Sequence, residues 1–409
     1  MKHPGNINIE KYTYDLPQEK IALYPLEQRD RSKLLVYRSG DVSAYSFRDI
    51  TRLLPGNSLL IVNETRVIQA RLIFRKSTGS LIEIFCLEPV EPSGEYQLAF
   101  SATSECTWNC LVGNSRRWRS GKLEMTSIKE GEKVRLIAER TDKGEAGSRV
   151  RFCWYPEELT FAEVLDLFGI IPLPPYIKRE AEQSDRDTYQ TVYAKNSGSV
   201  AAPTAGLHFT NEVLSELSGK NVTRLPFTLH VGAGTFRPVS TPELKGHKMH
   251  SERVSIPRNI LLQLHEQIDK PKIVVGTTST RLVESIYWLG VKWSLNKPDI
   301  AEMDISQWEP YEELHRHRLS PADSLENVID TLDRKGLDTL QGNTELIIAP
   351  GYEYAIPDIM VTNFHQPRST LLLLIAAFIG EDWRKAYQYA LENDFRFLSY
   401  GDSCLFFKG

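Results

Sequence analysis

Residues Gly198 to Phe209 combine several features that suit a site for a polar ligand. Small residues surround Pro203 and Gly206, so no bulky side chain would keep a ligand away from the backbone. His208 carries an imidazole, which changes charge near neutral pH and can move a proton. Thr210 is a suitable N-cap for a helix, and helix N-termini attract anions. The same residues also fit a tight connection with a hydrogen-bonded core histidine.

A second polar motif, residues 276–281, reads Gly-Thr-Thr-Ser-Thr-Arg and begins a predicted helix. Its backbone N–H groups and hydroxyls would bind a carboxylate at the helix N-terminus. Arg281 and Glu284 lie one helical turn apart, so they could instead pair with each other. Two readings of Arg281 therefore stay open, a ligand contact and a surface ion pair.

Two further segments carry candidate site residues. Residues 363–365, Asn-Phe-His, bring a second histidine, His365, into a predicted turn. Gly232 and Gly234 would let the backbone approach a ligand, although turn geometry is the commoner reason for glycine. These glycines lack the spacing of a dinucleotide-binding loop.

His247, His250 and Glu252 have a spacing that superficially resembles that of metal ligands. Lys248 lies among the imidazoles, and a second cation there disfavours metal binding. A polar loop without metal is the better interpretation.

A formal net charge of −4 argues against indiscriminate binding to nucleic acid but allows a local basic patch. Residues 116–119, Arg-Arg-Trp-Arg, are the best candidate. Three guanidinium groups around an indole could hold phosphates and stack on a base. A solvated turn with a buried Trp118 explains the same residues.

The 409 residues are enough for two or three domains, and 41% hydrophobic with 25% charged residues is ordinary for a globular protein. Five cysteines do not form a disulfide framework. The N-terminus lacks a signal peptide, and the longest apolar run, Leu371 to Ile379, is too short to span a bilayer. We expect a cytoplasmic protein without membrane contact.

The elements that would position these motifs follow from hydrophobic periodicity. Residues 66–154 are strand-like and rich in turns, which favours a small sheet or barrel, with a hairpin turn at 141–148. Thr160 and Glu163 form a predicted capping box for a helix that Gly169 ends.

Two strand–turn–helix units follow in the second half of the chain. The strand 273–275 leads through Gly276 to a helix from Ser279 that should stop at Gly290, and the strand 359–361 leads to a helix 370–379 capped by Ser369. Polar turns at the carboxyl ends of strands are where open α/β sheets bind ligands.

The order of these motifs resembles that of the S-adenosylmethionine:tRNA ribosyltransferase-isomerase family of queuosine biosynthesis. The resemblance runs over nearly the whole chain. The resemblance implies an α/β fold, with a discontinuous α/β domain (residues 1–66 and 152–409) and an inserted small all-β barrel domain (residues 67–151). The motifs that carry it are Tyr14-Asp15-Leu16-Pro17, residues 63–66, 70–72, 198–209, 229–236, 275–281, 350–352 and 362–365, and Tyr400-Gly401-Asp402.

The resemblance implies that the ribosyl part of S-adenosylmethionine, rather than its methyl group, is transferred. The acceptor is 7-aminomethyl-7-deazaguanine at the wobble position of tRNA, and the products are epoxyqueuosine, adenine and methionine. Such a reaction needs a base near the ribose, a donor for the departing adenine and a dry pocket around the cation. The tRNA base must also leave its stack. S-adenosylmethionine would be a cosubstrate, with no permanently bound cofactor and no metal, and we expect a monomer.

The resemblance also implies site residues. His208 is the first candidate for acid–base catalysis and His365 the second, although each fits almost equally a hydrogen-bonding residue that never titrates. The implied substrate-binding residues are Ala202, Pro203, Thr204, Gly206, Gly232, Gly234, Thr235, Glu252, Gly276, Thr277, Thr278, Ser279, Arg281 and Asn363. The implied tRNA-binding residues are Arg66, Arg71, Arg116, Arg117, Arg119, Lys178 and Arg179.

The chain departs from the usual family pattern at Glu64, Gln69 and Lys33, where Asp, Pro and Arg are usual. It also has extra sequence at 291–343, which is predicted to form surface helices and loops. These departures leave open a tRNA-binding paralogue with altered or absent catalysis. A methyltransferase is a third interpretation, but its glycine-rich loop after the first strand is missing.

Overall fold

The computed structural model describes residues 1–143, 147–230, 232, 239, 241–296 and 298–408. Within these residues the chain forms a ten-stranded mixed sheet, a six-stranded antiparallel sheet and a two-stranded sheet. The strands are β1 (Lys33–Arg38), β2 (Asp41–Ser46), β3 (Leu59–Asn63), β4 (Thr65–Val67), β5 (Arg71–Arg75), β6 (Leu81–Glu91), β7 (Glu105–Gly113), β8 (Lys122–Lys129), β9 (Glu132–Lys143), β10 (Ser148–Tyr155), β11 (Asn196–Ser199), β12 (Thr223–His230), β13 (Glu252–Pro257), β14 (Lys272–Val275), β15 (Met303–Ile305), β16 (Thr339–Thr344), β17 (Ile359–Asn363) and β18 (Ser403–Phe407). The helices are α1 (Ile50–Leu53), α2 (Tyr96–Phe100), α3 (Phe161–Phe168), α4 (Asp185–Thr188), α5 (Asn211–Gly219), α6 (Arg258–Glu266), α7 (Thr277–Leu295), α8 (Glu309–Glu312), α9 (Pro321–Lys335), α10 (Thr370–Ile379) and α11 (Trp383–Glu392).

The large sheet has the strand order β15-β16-β13-β12-β3-β14-β17-β18-β1-β2. Its centre, β12-β3-β14-β17, is parallel. Alternate residues of these strands belong to different hydrophobic clusters: Ile61 and Val274 pack in the cluster of α7, and Leu60 and Val275 in that of α5. Both faces of the sheet are therefore covered, as parallel sheets require.

The two predicted strand–turn–helix units are confirmed at β14–α7 and β17–α10. Ser369 caps α10 by accepting a hydrogen bond from the Leu372 N–H, and Gly380 ends this helix. Because β14 and β17 are parallel neighbours, both polar turns lie at the same edge of the sheet.

The prediction that Gly290 stops α7 is wrong, because the helix continues to Leu295. A Cβ atom at Gly290 would lie 2.0 Å from the carbonyl oxygen of Ser324 in α9. This glycine therefore allows two helices to pack closely, and it does not act as a helix terminator.

The segment 291–343 is more than the predicted surface helices and loops. It supplies β15 and most of β16, which extend the large sheet beyond β13. The apolar face of α9, with Leu325, Val328 and Leu332, is buried in the main core. The sequence did not reveal these strands because β15 has only three residues and β16 has few apolar ones.

The six-stranded sheet follows the order β5-β6-β7-β10-β9-β8, and its edge strands β5 and β8 approach each other, so it is nearly closed into a barrel. The predicted hairpin joins β9 to β10, although residues 144–146 of its turn lie outside the described residues. The capping box of Thr160 and Glu163 is confirmed, and α3 packs Phe161 and Leu165 into the barrel core.

The predicted α/β class with an inserted all-β barrel is confirmed. The domain boundaries at 66/67 and 151/152 stay a prediction. In the described ranges, no helix combines the length and apolar character needed to cross a membrane.

Candidate active site

A cavity lies at the carboxyl ends of β14 and β17. Its walls bring together three of the sequence motifs. The predicted site residues that line it are Ala202, Pro203, Thr204, Gly276, Thr277, Thr278, Asn363 and His365. The remaining lining residues are Tyr176, Ala201, Ala205, Val275, Thr362, Phe364, Gln366, Ser369, Leu371, Leu398 and Ser399.

The N-terminus of α7 forms one wall of the cavity. Gly276 has φ of +91°, a conformation that L-residues with a Cβ rarely adopt, and turns the chain from β14 into the helix. The first N–H groups of a helix have no partner within it. Thr277 and Thr278 contribute such groups together with their hydroxyls. Ser279 follows with a buried Oγ that has no hydrogen-bond partner among the described residues.

His365 faces the cavity from the turn after β17. Its Nε2 lies 3.0 Å from Oγ1 of Thr362, and its backbone N–H donates to the Tyr387 hydroxyl. Within the described ranges, Nδ1 has no hydrogen-bond partner. Burial lowers the pKa of His365 to about 3, so the ring is neutral at physiological pH.

His208 lies at the end of the 3₁₀ helix Thr204–His208 and does not line this cavity. Its Nδ1 is 2.7 Å from Oγ of Ser32, and its Nε2 is 3.1 Å from Nδ2 of Asn363. Burial, with smaller effects of Arg396 and Arg29, lowers the pKa of His208 to about 3. The expectation that its pKa lies near 7 is therefore wrong for this environment. A catalytic role of this ring stays a prediction.

Asn363 connects His208 to the cavity. Its Nδ2 is also 3.3 Å from the carbonyl oxygen of Leu398 and 3.5 Å from that of Asp402, which identifies this atom as the amide donor. Nε2 of His208 then accepts, and the ring proton is on Nδ1. Oδ1 of Asn363 is buried without a partner in the described part of the chain.

Glu252 and Arg281 form a buried ion pair outside the cavity walls, with Oε1 of Glu252 3.1 Å from Nε2 of His250. Burial would raise the pKa of Glu252, but Arg281 and His250 outweigh it and lower the pKa to about 2. The alternative pair of Arg281 with Glu284 does not form. Glu284 accepts hydrogen bonds from the Tyr352 hydroxyl at 2.6 Å and from backbone N–H groups.

Among the residues that the structure describes, no group of three or more His, Cys, Asp or Glu side chains is arranged to hold a metal ion.

Four other residues that were predicted to bind substrate, three glycines and a threonine, do not line the cavity or lie outside the described residues. Gly206 is buried beside the cavity, and a Cβ there would lie 2.1 Å from the Tyr193 hydroxyl, so packing already requires glycine. Around Gly232 a Cβ would meet nothing within 4 Å. Gly234 and Thr235 lie outside the described residues.

The basic residues that were predicted to contact tRNA phosphates differ in solvent exposure and in whether they already pair with a carboxylate. Arg66, Arg116, Arg117, Arg119 and Lys178 are exposed. Trp118 is fully buried and its Nε1 donates to the carbonyl of Gly121, so the idea that this indole stacks on a base is wrong.

Arg71 and Arg179 are tied to carboxylates. Arg71 pairs with Glu83 at 2.6 Å. Arg179 binds both carboxylate oxygens of Asp185 at 2.7 Å and donates to two backbone carbonyls as well. Its guanidinium has few protons left for a phosphate.

The three departures from the family pattern have local partners outside the cavity walls. Glu64 accepts from Nδ2 of Asn196 at 3.0 Å, and Gln69 donates to Asp166 at 2.8 Å. Lys33 donates to the backbone carbonyls of residues 393 and 394. These side chains connect chain segments and are not among the residues that line the cavity.

Sequence reasoning missed part of the wall. Tyr176 and Ser399 meet with their hydroxyls 2.6 Å apart, and Ser32 holds His208 from behind the cavity. Ser399 directly precedes the motif at 400–402, which is the signal that could have identified it. Tyr176 and Ser32 lie in loops without any pattern of their own.

Comparisons with known proteins agree with the motif order. A sequence profile described as "Queuosine biosynthesis protein" matches residues 9–406. An S-adenosylmethionine:tRNA ribosyltransferase-isomerase of Halothermothrix orenii is 34% identical over 98% of this chain and 99% of the relative. The protein of that name from Natranaerobius thermophilus is 37% identical over 97% and 98%.

A crystal structure of S-adenosylmethionine tRNA ribosyltransferase from Thermotoga maritima is 27% identical, with 97% of this chain and 99% of that chain covered and a TM-score of 0.46. Because the profile spans nearly the whole sequence and relatives above 30% identity match over almost their full length, the chain belongs to the queuosine biosynthesis protein family.

Proposed function

We propose that the chain is an S-adenosylmethionine:tRNA ribosyltransferase-isomerase. It transfers the ribosyl moiety of S-adenosylmethionine to 7-aminomethyl-7-deazaguanine at the tRNA wobble position and isomerises it, and it releases adenine and methionine. Full-length similarity to relatives of that name supports this function.

The observation that supports the proposal most is the convergence of separate motifs on one cavity. Residues 202–204, 276–278 and 363–365 are far apart in the chain, and all of them line it. Such convergence is expected of a site that binds one ligand through several polar groups.

The N-terminus of α7 is the proposed site for the methionyl carboxylate. Backbone N–H groups of Thr277 and Thr278 carry the positive end of the helix dipole, which attracts an anion. The hydroxyls of these residues add donors. Oδ1 of Asn363, an acceptor without a partner among the described residues, suits a hydroxyl or amino group of the adenosyl part.

His365 is the better candidate for direct contact with the reacting atoms, because its Nδ1 faces no protein partner within the described ranges. A neutral imidazole can accept a hydrogen bond from the ribose at this nitrogen. His208 has both nitrogens bonded to protein atoms, so it acts through Asn363 as a positioning residue.

The exposed basic residues on the barrel and beside it are the proposed contacts for tRNA phosphates. Because net charge is −4, binding must depend on such local groups. We also propose that the enzyme is a cytoplasmic monomer. It uses S-adenosylmethionine as its cosubstrate and needs no metal.

The direct test is incubation with S-adenosylmethionine and tRNA that carries the aminomethyl deazaguanine, followed by mass spectrometry of the nucleosides. Epoxyqueuosine is the expected product. Binding of this tRNA without any modified nucleoside would favour the inactive paralogue instead.

A further inference from the structure

A second cleft shares a wall with the active-site cavity. Consecutive residues line the two spaces: Tyr176 and Ala201 face the cavity, and their neighbours Ile177 and Val200 face the cleft. The cleft lies between the barrel strands β5 and β6 and the proline-rich segment 172–175. A group held in the cleft would therefore be next to the reacting centre.

The barrel side of the cleft carries an ion pair. Ile82, Ile84 and Cys86 of β6 point into the barrel core, so the alternate residues Glu83 and Phe85 are on its outer face. Nε of Arg71, which pairs in register with Phe85, donates to Oε1 of Glu83 at 2.6 Å.

The pair is open toward the cleft. Among the described residues, the terminal nitrogens of Arg71 and Oε2 of Glu83 have no hydrogen-bond partner. Gly113 is the residue opposite Glu83 on β7, so no side chain covers the carboxylate from that strand. Acceptor and donor groups thus lie side by side and are accessible.

The other walls include three prolines and an aromatic ring. Pro172, Pro174 and Pro175 have restricted backbones, and the Phe85 ring provides an aromatic surface. Arg179 also lines the cleft, but Asp185 and backbone carbonyls hold its guanidinium in place. Aromatic and proline surfaces beside a polar pair are suited to a planar nucleobase.

We propose that this cleft binds the nucleobase of the tRNA wobble position and that Glu83 and Arg71 recognise its guanine-type edge. This inference rests on the proposed function. The Glu83 carboxylate accepts from the ring N1–H and the 2-amino group, and a terminal nitrogen of Arg71 donates to O6. The base enters after leaving its stack, which brings the 7-substituent toward the neighbouring cavity.

The pattern of donors and acceptors selects among bases. A guanine edge presents two donors followed by one acceptor, which matches two carboxylate oxygens beside a guanidinium. Adenine presents an acceptor at N1, and uracil presents a single donor between two acceptors. Each of these leaves a charged group of the pair without a partner, which is costly.

The test measures binding of anticodon stem–loop RNAs with guanosine or inosine at the wobble position, which differ only by the 2-amino group. Wild type should bind the guanosine RNA about tenfold more tightly, because a hydrogen bond to a charged acceptor is lost with inosine. Glu83→Gln, whose amide keeps one acceptor oxygen but places a donor beside it, should lose most of this preference. Glu88→Gln, at an exposed position on the same strand outside the cleft, should retain the preference.

Equal binding, or no binding, of the two RNAs by wild type would overturn the proposal, and so would an intact preference in Glu83→Gln. These readouts do not involve turnover. A guanosine preference that depends on Glu83 in a protein that produces no epoxyqueuosine would retain the subsite and reject the proposed function.

Discussion

Nδ2 of Asn363 lies 3.1 Å from Nε2 of His208, and only Asn363 of the two faces the cavity. On its other side, His208 is held by Ser32 at 2.7 Å. The buried chain Ser32–His208–Asn363 therefore fixes the orientation of one amide at the site.

The first prediction separates positioning from proton transfer. His208→Ala should lower kcat about a hundredfold, because a small displacement of a site residue has an effect of this size. His208→Gln should restore most of the activity, since its amide oxygen can accept from Asn363. Affinity for tRNA should be unchanged in both variants. Steady-state kinetics decide the question: equal losses in the two variants would show that the imidazole itself is needed.

The second prediction concerns pH and stability. Burial lowers the pKa of His208 and His365 to about 3 and that of His230 to about 4. The unfolded chain, with histidine pKa values near 6.5, binds protons below that pH that the folded chain does not bind. Stability is therefore fully present above about pH 6.5 and is lost as the pH falls toward 3, on the order of 1 kcal/mol per pH unit and histidine.

Thermal unfolding between pH 7 and 5 checks this for one residue. The Tm of His365→Gln should fall less with acidification than that of wild type. The exposed His317 provides a control, and His317→Gln should behave like wild type. A Tm loss in His365→Gln as steep as in wild type would mean that this ring titrates normally in the folded state.

The third prediction concerns tRNA phosphates. Arg116→Ala plus Arg117→Ala should weaken tRNA binding and flatten its salt dependence by about one slope unit per lost contact. Affinity for S-adenosylmethionine should not change, because its proposed site is in the α/β part. Arg334→Ala plus Lys335→Ala, an equal charge change at the exposed end of α9, is the control. Identical salt slopes in all three proteins would make residues 116–119 a solvated turn only.

The fourth prediction concerns packing of α7 on α9. Gly290→Ala should destabilise the fold by about 1–3 kcal/mol, since its Cβ would overlap the Ser324 backbone. At Gly219 a Cβ would meet nothing within 4 Å, so Gly219→Ala should be neutral or slightly stabilising. Chemical unfolding of both variants measures the difference. An unchanged stability of Gly290→Ala would show that α9 can move away from α7.

Local signals predicted the elements that carry the site. A buried strand followed by Gly276, and another followed by a turn and Ser369, were sufficient to place the turns at 276–278 and 363–365 on one sheet edge. Periodicity could not reveal that Gly290 is a helix contact, because a glycine at a close approach looks the same in sequence as a glycine at a helix end.

The roles of the two histidines needed three-dimensional information. Sequence favoured His208 because of its small neighbours, but Ser32, more than 170 positions away, occupies one of its nitrogens. For Trp118 the sequence left stacking and burial both open, since an indole between arginines fits a surface or a core position, and the structure confirms burial.

The central claim is that the ribosyl group, and not the methyl group, leaves S-adenosylmethionine. The most direct measurement supplies methyl-labelled S-adenosylmethionine with the aminomethyl deazaguanine tRNA and quantifies adenine, methionine and modified nucleoside. Adenine and methionine should appear in equal amounts with epoxyqueuosine, with all of the label in methionine. Label in the tRNA without release of adenine would contradict the account and identify a methyltransferase.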